Sequence, residues 1–157
     1  MEARCLGSMK KRILTILWVL YGLALVYLLF LRRLGADYGV SYWEWLTQSC
    51  NLIPGREIYA YLTAPYRSPA VLSRMLRNYA GNFLLFVPWG LLFSWSRISW
   101  KRFVLWTGIT VLAVELVQLF AMLGCFDLDD MILNMGGALL AFHTAGRLQM
   151  AQARRHP

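Results

Sequence analysis

Charge is what this 157-residue chain has least of. Asp, Glu, Lys and Arg make up 15% of it, against about a quarter in an ordinary soluble domain. Acidic residues are scarcest, eight against sixteen Lys and Arg, which leaves a formal net charge of +8. With 59% apolar residues and a mean hydropathy of +0.48, the composition excludes a disordered chain and argues against a soluble domain. Cysteine is confined to Cys5, Cys50 and Cys125 without any CxxC spacing, so neither a zinc site nor a disulfide framework organises the fold. Cys50 with Cys125 is the one pairing an extracytoplasmic location would permit, and free apolar packing is the simpler expectation. The two histidines, His143 and His156, stand at no recognisable spacing from a nucleophile. GxSxG, HExxH, P-loop and EF-hand patterns are all missing, so no catalytic signature, cofactor or metal is expected. The positive balance does not point to nucleic acid, because the cations flank apolar runs as orientation signals do.

Long uncharged runs are what the chain has instead. Residues 13–31 carry no charge, and 19 residues at about 1.5 Å each span roughly 30 Å of hydrocarbon. That run exceeds a signal-peptide core and is followed at once by Arg32 and Arg33, so it reads as a retained anchor. Residues 79–96 and 103–124 are also long enough, and 131–146 forms a shorter fourth run behind Asp127, Asp129 and Asp130. The sequence therefore predicts one all-α membrane domain over 1–157, a bundle of about four transmembrane helices with an extracytoplasmic loop at 32–78. Four spans put both termini and the 97–102 connection on one side. That side holds ten of the sixteen positive charges, Arg97, Lys101 and Arg102 among them; the other side sets six positives against six negatives. The positive-inside rule then makes the termini cytoplasmic, although Arg32 and Arg33 argue the other way.

The 32–78 segment holds Tyr38, Tyr42, Trp43, Trp45, Tyr59, Tyr61 and Tyr66, residue types that favour the headgroup level. It reads as a connecting loop with an aromatic anchor, or as a lid over an outward-facing site. The polar residues inside the apolar runs are more informative. Glu115, placed near the middle of the third span, would cost at least about 2.5 to 3.5 kcal/mol as a carboxylate there. Gln118 lies three residues on, on the same helical face. Asn78 and Asn82 are an i, i+4 pair on the second span, where Pro88 favours a kink. Asn134 lies one turn beyond Asp130, and Gly137, Ala138 and Ala141 make that side of the helix small enough for another backbone to approach. These spacings predict that Asn82, Glu115, Gln118, Asp127, Asp130 and Asn134 form one polar binding site in the outer half of the bundle. The plainer alternatives are interhelical hydrogen bonding for the amides and helix N-capping for the aspartates.

Four motifs, NLIP at 51–54, GNFLLFVPWG at 81–90, ELVQ at 115–118 and FDLDDMILNMGG at 126–137, together resemble the VanZ-like family of small bacterial membrane proteins. The resemblance covers about residues 51–145. It implies a helical integral membrane protein related to one that gives low-level resistance to the glycopeptide teicoplanin by a route separate from remodelling of the D-Ala-D-Ala terminus. It carries over to Asn82, Pro88, Gly90, Glu115, Gln118, Asp127, Asp130, Asn134 and Gly137. Two positions depart from it: many relatives have an aromatic at Gly55 and an arginine at Gly124, and Arg77 is a candidate to supply that guanidinium. The expected partners are membrane lipids and a lipid-linked cell-wall precursor or lipoglycopeptide, with self-association into a homo-oligomer neither required nor excluded. Binding or shielding an envelope component at the outer leaflet is the leading reading. An intramembrane enzyme on a lipid or isoprenoid phosphate is the alternative, and a proton-coupled transporter using Glu115 is a third.

Overall fold

The structure, a computed structural model, describes residues 2–35, 39–96 and 98–155. Tyr38, Arg97 and His156 lie outside the described residues, as does Asp37, one of the six acidic residues counted on the second side, and so do the side chains of Arg4, Cys5, Lys10, Arg154 and Arg155. Helix dominates. In chain order the elements are α1 (Glu2–Leu29), a 3-10 turn (Leu31–Arg33), α2 (Tyr42–Gln48), β1 (Cys50–Asn51), α3 (Arg56–Thr63), α4 (Pro69–Leu85), α5 (Val87–Trp95), α6 (Trp100–Phe120), β2 (Phe126–Asp127) and α7 (Leu128–Arg155). Among the described residues two stretches are long and apolar enough to cross a membrane, Lys11–Arg33 and Trp100–Phe120. Only 6% of the first is covered by the rest of the protein, so side chains such as Leu20 and Leu23 point away from the bundle.

Pro88 breaks the second apolar run as its chemistry requires. It has no N–H for the Leu84 carbonyl, and the helix divides, with α4 ending at Leu85 and Pro88 in the first turn of α5. The third run ends earlier than its hydropathy suggests. Helix α6 stops at Phe120 rather than 124, because Met122 turns left-handed at φ 53°. The Leu123 N–H then bonds the Gln118 carbonyl at 2.8 Å and the Met122 N–H that of Leu119 at 3.2 Å. This is a Schellman closure with methionine where glycine is usual, and it places Glu115 five residues from the helix end rather than near mid-span.

The 32–78 segment is not a simple connecting loop. Ser41 and Glu44 form a capping box that starts α2, satisfying two orphan N–H groups at once. Trp45 on that helix is buried and donates its indole N–H to the Leu119 carbonyl at 2.9 Å, so one tryptophan ties the segment to the end of α6. Strand β1 pairs in parallel with β2, Cys50 beside Phe126 and Asn51 beside Asp127.

Contacts between the long helices fix their directions. Trp18 meets Trp89 and Phe93, the Tyr21 hydroxyl donates to the Leu85 carbonyl, and Gln118 reaches Leu29. Asn78 pairs with Asp130, Phe83 lies on Gly137, and Gly90 lies on Ala138. Thus α1 and α6 run one way, and α4, α5 and α7 the other. Phe86, Phe103, Val111 and Ala138 form the fully buried centre. The small-residue side of α7 is where another backbone arrives, as the spacing predicts. A Cβ on Gly137 would overlap the Phe83 carbonyl oxygen, and one on Gly90 would overlap that of Ala138, whereas one on Gly136 would sit 3.7 Å from the Phe83 ring. Gly137→Ala should therefore destabilise the fold by about 1 to 3 kcal/mol or more and Gly136→Ala should be tolerated, a contrast that thermal unfolding of the two variants in detergent will check.

Candidate functional site

The site grows from the first residues of α7. Asp127 is the N-cap: its Oδ1 accepts the Asp129 N–H at 2.8 Å, an arrangement worth typically about 1 kcal/mol. Its Oδ2 accepts from the Asn51 amide at 3.1 Å, which joins the cap to β1. Its own N–H donates to Glu115 Oε2 at 3.3 Å. In a capping box the third helical residue would take that N–H. Here the third residue, Asp130, instead accepts from the Asn78 amide at 3.0 Å, and a carboxylate from another helix fills the role. Glu115 is 2% exposed, within Coulombic range of Asp130, Asp127 and Arg33.

Asp129 faces the other way. It accepts the Gly55 N–H at 2.8 and 3.0 Å and the Tyr79 hydroxyl at 3.1 Å, so it clamps the turn before α3 onto α7. Gly55 has φ 72°, a conformation that an aromatic residue would hold only under strain. The three aspartates thus engage different donors, and among the described residues no group of three potential metal ligands converges.

Outside this cap opens a cavity of about 600 Å³ between α3, α4 and the start of α7, within the range of ligand pockets. Its walls carry Arg33 and Arg74 as well as Glu57, Asp127 and Asp130, with Tyr61 and Tyr66 at one side. Burial and the Asp127 and Asp129 charges push the Glu57 carboxyl upward against the pull of Arg74. Asp130 precedes the 131–146 run; burial and Asp127 push it up too, and the Asn82 and Asn78 amides oppose this. The Asn82 amide nitrogen is close enough to Asp130 to have that effect yet reaches no hydrogen-bond partner. Burial likewise raises the Cys125 thiol, and Cys50 and Cys125 are both free.

The six residues expected to share a site divide by position. Asp127 and Asp130 line the cavity, Glu115 touches Asp127 behind it, and Asn82 stands beside Asp130. Asn134 lies one turn deeper on α7, 1% exposed, with neither amide atom partnered. Asn78 and Phe83 of α4 meet Asp130 and Gly137 of α7 in step, which brings Asn82 and Asn134 to the same level. Gln118 faces away, donating to the Leu29 carbonyl at 3.2 Å.

Residues 18–148 match the family model described as VanZ/LLP1, more than three quarters of the chain and all four motifs quoted above. The chain belongs to the VanZ/LLP1 family. No curated protein and no solved structure matches it. At Gly124, where the resemblance leads one to expect an arginine, a guanidinium from a distant part of the chain lies alongside. Arg33, just past α1, donates to the Leu123 carbonyl at 3.1 Å, and a Cβ on Gly124 would overlap its Nη1. Gly124 leaves the room that Arg33 occupies. Arg77, the substitute considered from sequence, bonds Ser73 on the exposed side of α4 instead.

Sequence reasoning missed Arg33, Glu57 and Arg74 as cavity residues. Arg33 was visible only as a flank of the first apolar run, and α3 was hidden in an apparent loop. Glu115→Gln keeps an oxygen for the Asp127 N–H and should leave stability within about 1 kcal/mol of the wild type, whereas Glu115→Ala strands a buried donor and should cost about 1 to 3 kcal/mol. Thermal unfolding of both variants in detergent measures the difference.

Proposed function

We propose that this VanZ/LLP1-family protein crosses the membrane four times, with both termini in the cytoplasm, and lowers susceptibility to teicoplanin-type lipoglycopeptides by binding or shielding an envelope component at the outer leaflet. The observation that carries the reading is the mixed-charge cavity lying beside the ends of the two membrane-length helices, bounded by Arg33 and the first turn of α7. The alternating directions of α1, α4–α5, α6 and α7 agree with four passes, and the ten-to-six division of positive charge supports the orientation. Lipid-tailed glycopeptides anchor in the bilayer near their target, so a protein acting at that depth can discriminate them from an untailed drug.

Binding is favoured over catalysis on a lipid or isoprenoid phosphate by one feature of the site. Asp127 and Asp129 are engaged by protein donors, which suits a fixed wall better than a cation-holding or proton-transferring pair. Expression in a susceptible Gram-positive host, at matched membrane levels, should raise the inhibitory concentration of teicoplanin more than that of vancomycin, and Asp130→Asn should reduce the shift. An unchanged teicoplanin value for the wild type ends the resistance reading. Loss of the shift together with an altered lipid profile would favour the enzyme. For topology, a cysteine placed at Tyr66 should react with an impermeant reagent on intact cells and one at Lys101 should not; the reverse pattern inverts the orientation.

A further inference from the structure

We propose that the cavity takes a zwitterionic headgroup, a primary ammonium and a phosphate joined by a short linker, with Arg33 and Arg74 receiving the phosphate and Glu57 and Asp130 the ammonium. This rests on the binding reading above and names the ligand class for the same site. The argument starts from bonding capacity that the protein leaves unused. Both oxygens of Asp127 already hold a protein donor, from Asn51 and the Asp129 N–H. Asp130 takes the Asn78 amide at Oδ1, with the Asn82 amide close by, and Arg33 donates from Nη1 to Leu123, so each keeps unfilled positions. Glu57 and Arg74 act on each other through space, and no side-chain hydrogen bond among the described residues occupies either. Two cations and two carboxylates with free donors and acceptors therefore face one space.

Charge of both signs selects the ligand. A bare phosphate would meet the arginines but also three carboxylates, and a bare amine would meet the carboxylates but also two guanidinium groups. A group carrying both charges meets a partner of opposite sign for each of its ends. Guanidinium forks suit phosphate oxygens, and carboxylates with unfilled acceptor positions suit an ammonium that has N–H donors rather than a quaternary one. Tyr61 and Tyr66 add aromatic surface to the lining, which an ammonium can also use. The cavity lies where the Lys11–Arg33 and Trp100–Phe120 stretches end, the depth at which phospholipid headgroups reside. The same chemistry occurs in phosphatidylethanolamine and in free phosphoethanolamine.

The test uses the full chain purified in detergent and offered equal amounts of phosphatidylethanolamine, phosphatidylglycerol and phosphatidylcholine, with retained lipid counted by native mass spectrometry. Phosphatidylethanolamine should be retained over the other two. Glu57→Gln and Arg74→Gln should each lower that retention roughly tenfold or more, the size expected for losing one charged hydrogen bond. Arg77→Gln, on α4 but outside the cavity, should leave it unchanged. In a second arm, soluble phosphoethanolamine is titrated into protein held in phosphatidylglycerol nanodiscs. Saturable binding lost in both variants supports the free metabolite, and binding of the lipid alone supports the headgroup in the bilayer. Equal retention of all three lipids, or selective retention that both variants preserve, overturns the proposal. A chain that selects phosphatidylethanolamine without shifting teicoplanin susceptibility keeps this inference and ends the resistance reading; one that shifts susceptibility while holding all lipids alike does the reverse.

Discussion

A carboxylate on the next-to-last turn of α6 meeting a backbone N–H at the start of α7 holds the polar end of this protein in place. Glu115 supplies from a distance what a capping box would supply locally, and in return the start of α7 makes its burial tolerable. The magnitudes are close. A buried polar group left without a partner costs about 1 to 3 kcal/mol, and an N-cap that is made is worth about 1 kcal/mol. Without α7 beginning there, the carboxyl would lose its hydrogen-bond donor and keep only the more distant Arg33. With it, Asp127 is fixed, and through Asp127 so is β1, while the neighbouring Asp129 holds the turn at Gly55.

The cavity wall also depends on how closely α7 lies against α4 and α5. Gly137 and Gly90 let backbones touch where any side chain would overlap a carbonyl oxygen, and Ala138 and Ala141 continue the seam. Close approach brings Asn78 within reach of Asp130. A helix held further off by even one methyl group would leave that carboxylate without its amide donor. Packing in the apolar part of the bundle and hydrogen bonding at its polar end are therefore a single constraint.

The sequence made much of this legible where a residue has only one plausible consequence. Pro88 had to break a helix, Gly137 with Ala138 and Ala141 had to admit a neighbour, and the aspartates before residue 131 were suited to capping. The family was legible for the same reason, since its motifs are these constrained residues. The end of α6 was not, because methionine carries no signal for the left-handed turn at Met122, and the shallower position of Glu115 went unread with it. Nor was the segment before α4. The Ser41 and Glu44 spacing marks a helix start, but α3 has no comparable signal and Arg74 looks like any other cation on a helix. The cavity itself joins residues from three distant parts of the chain, Arg33, 57–78 and 125–130, a juxtaposition no local pattern encodes.

The pairing of β1 with β2 has a consequence for how the molecule is made. Asn51 and Asp127 are 76 positions apart, and α4, α5 and α6 lie between them. Contacts of such separation carry a loop-closure cost and form late. During synthesis the first half of the chain emerges with Asn51, Gly55 and Asn78 lacking their partners, and none can be satisfied until α7 follows. The cavity is thus among the last features to assemble, so a chain halted before the acidic motif would carry the earlier helices and no cavity. Biogenesis of the site and completion of the polypeptide become one event.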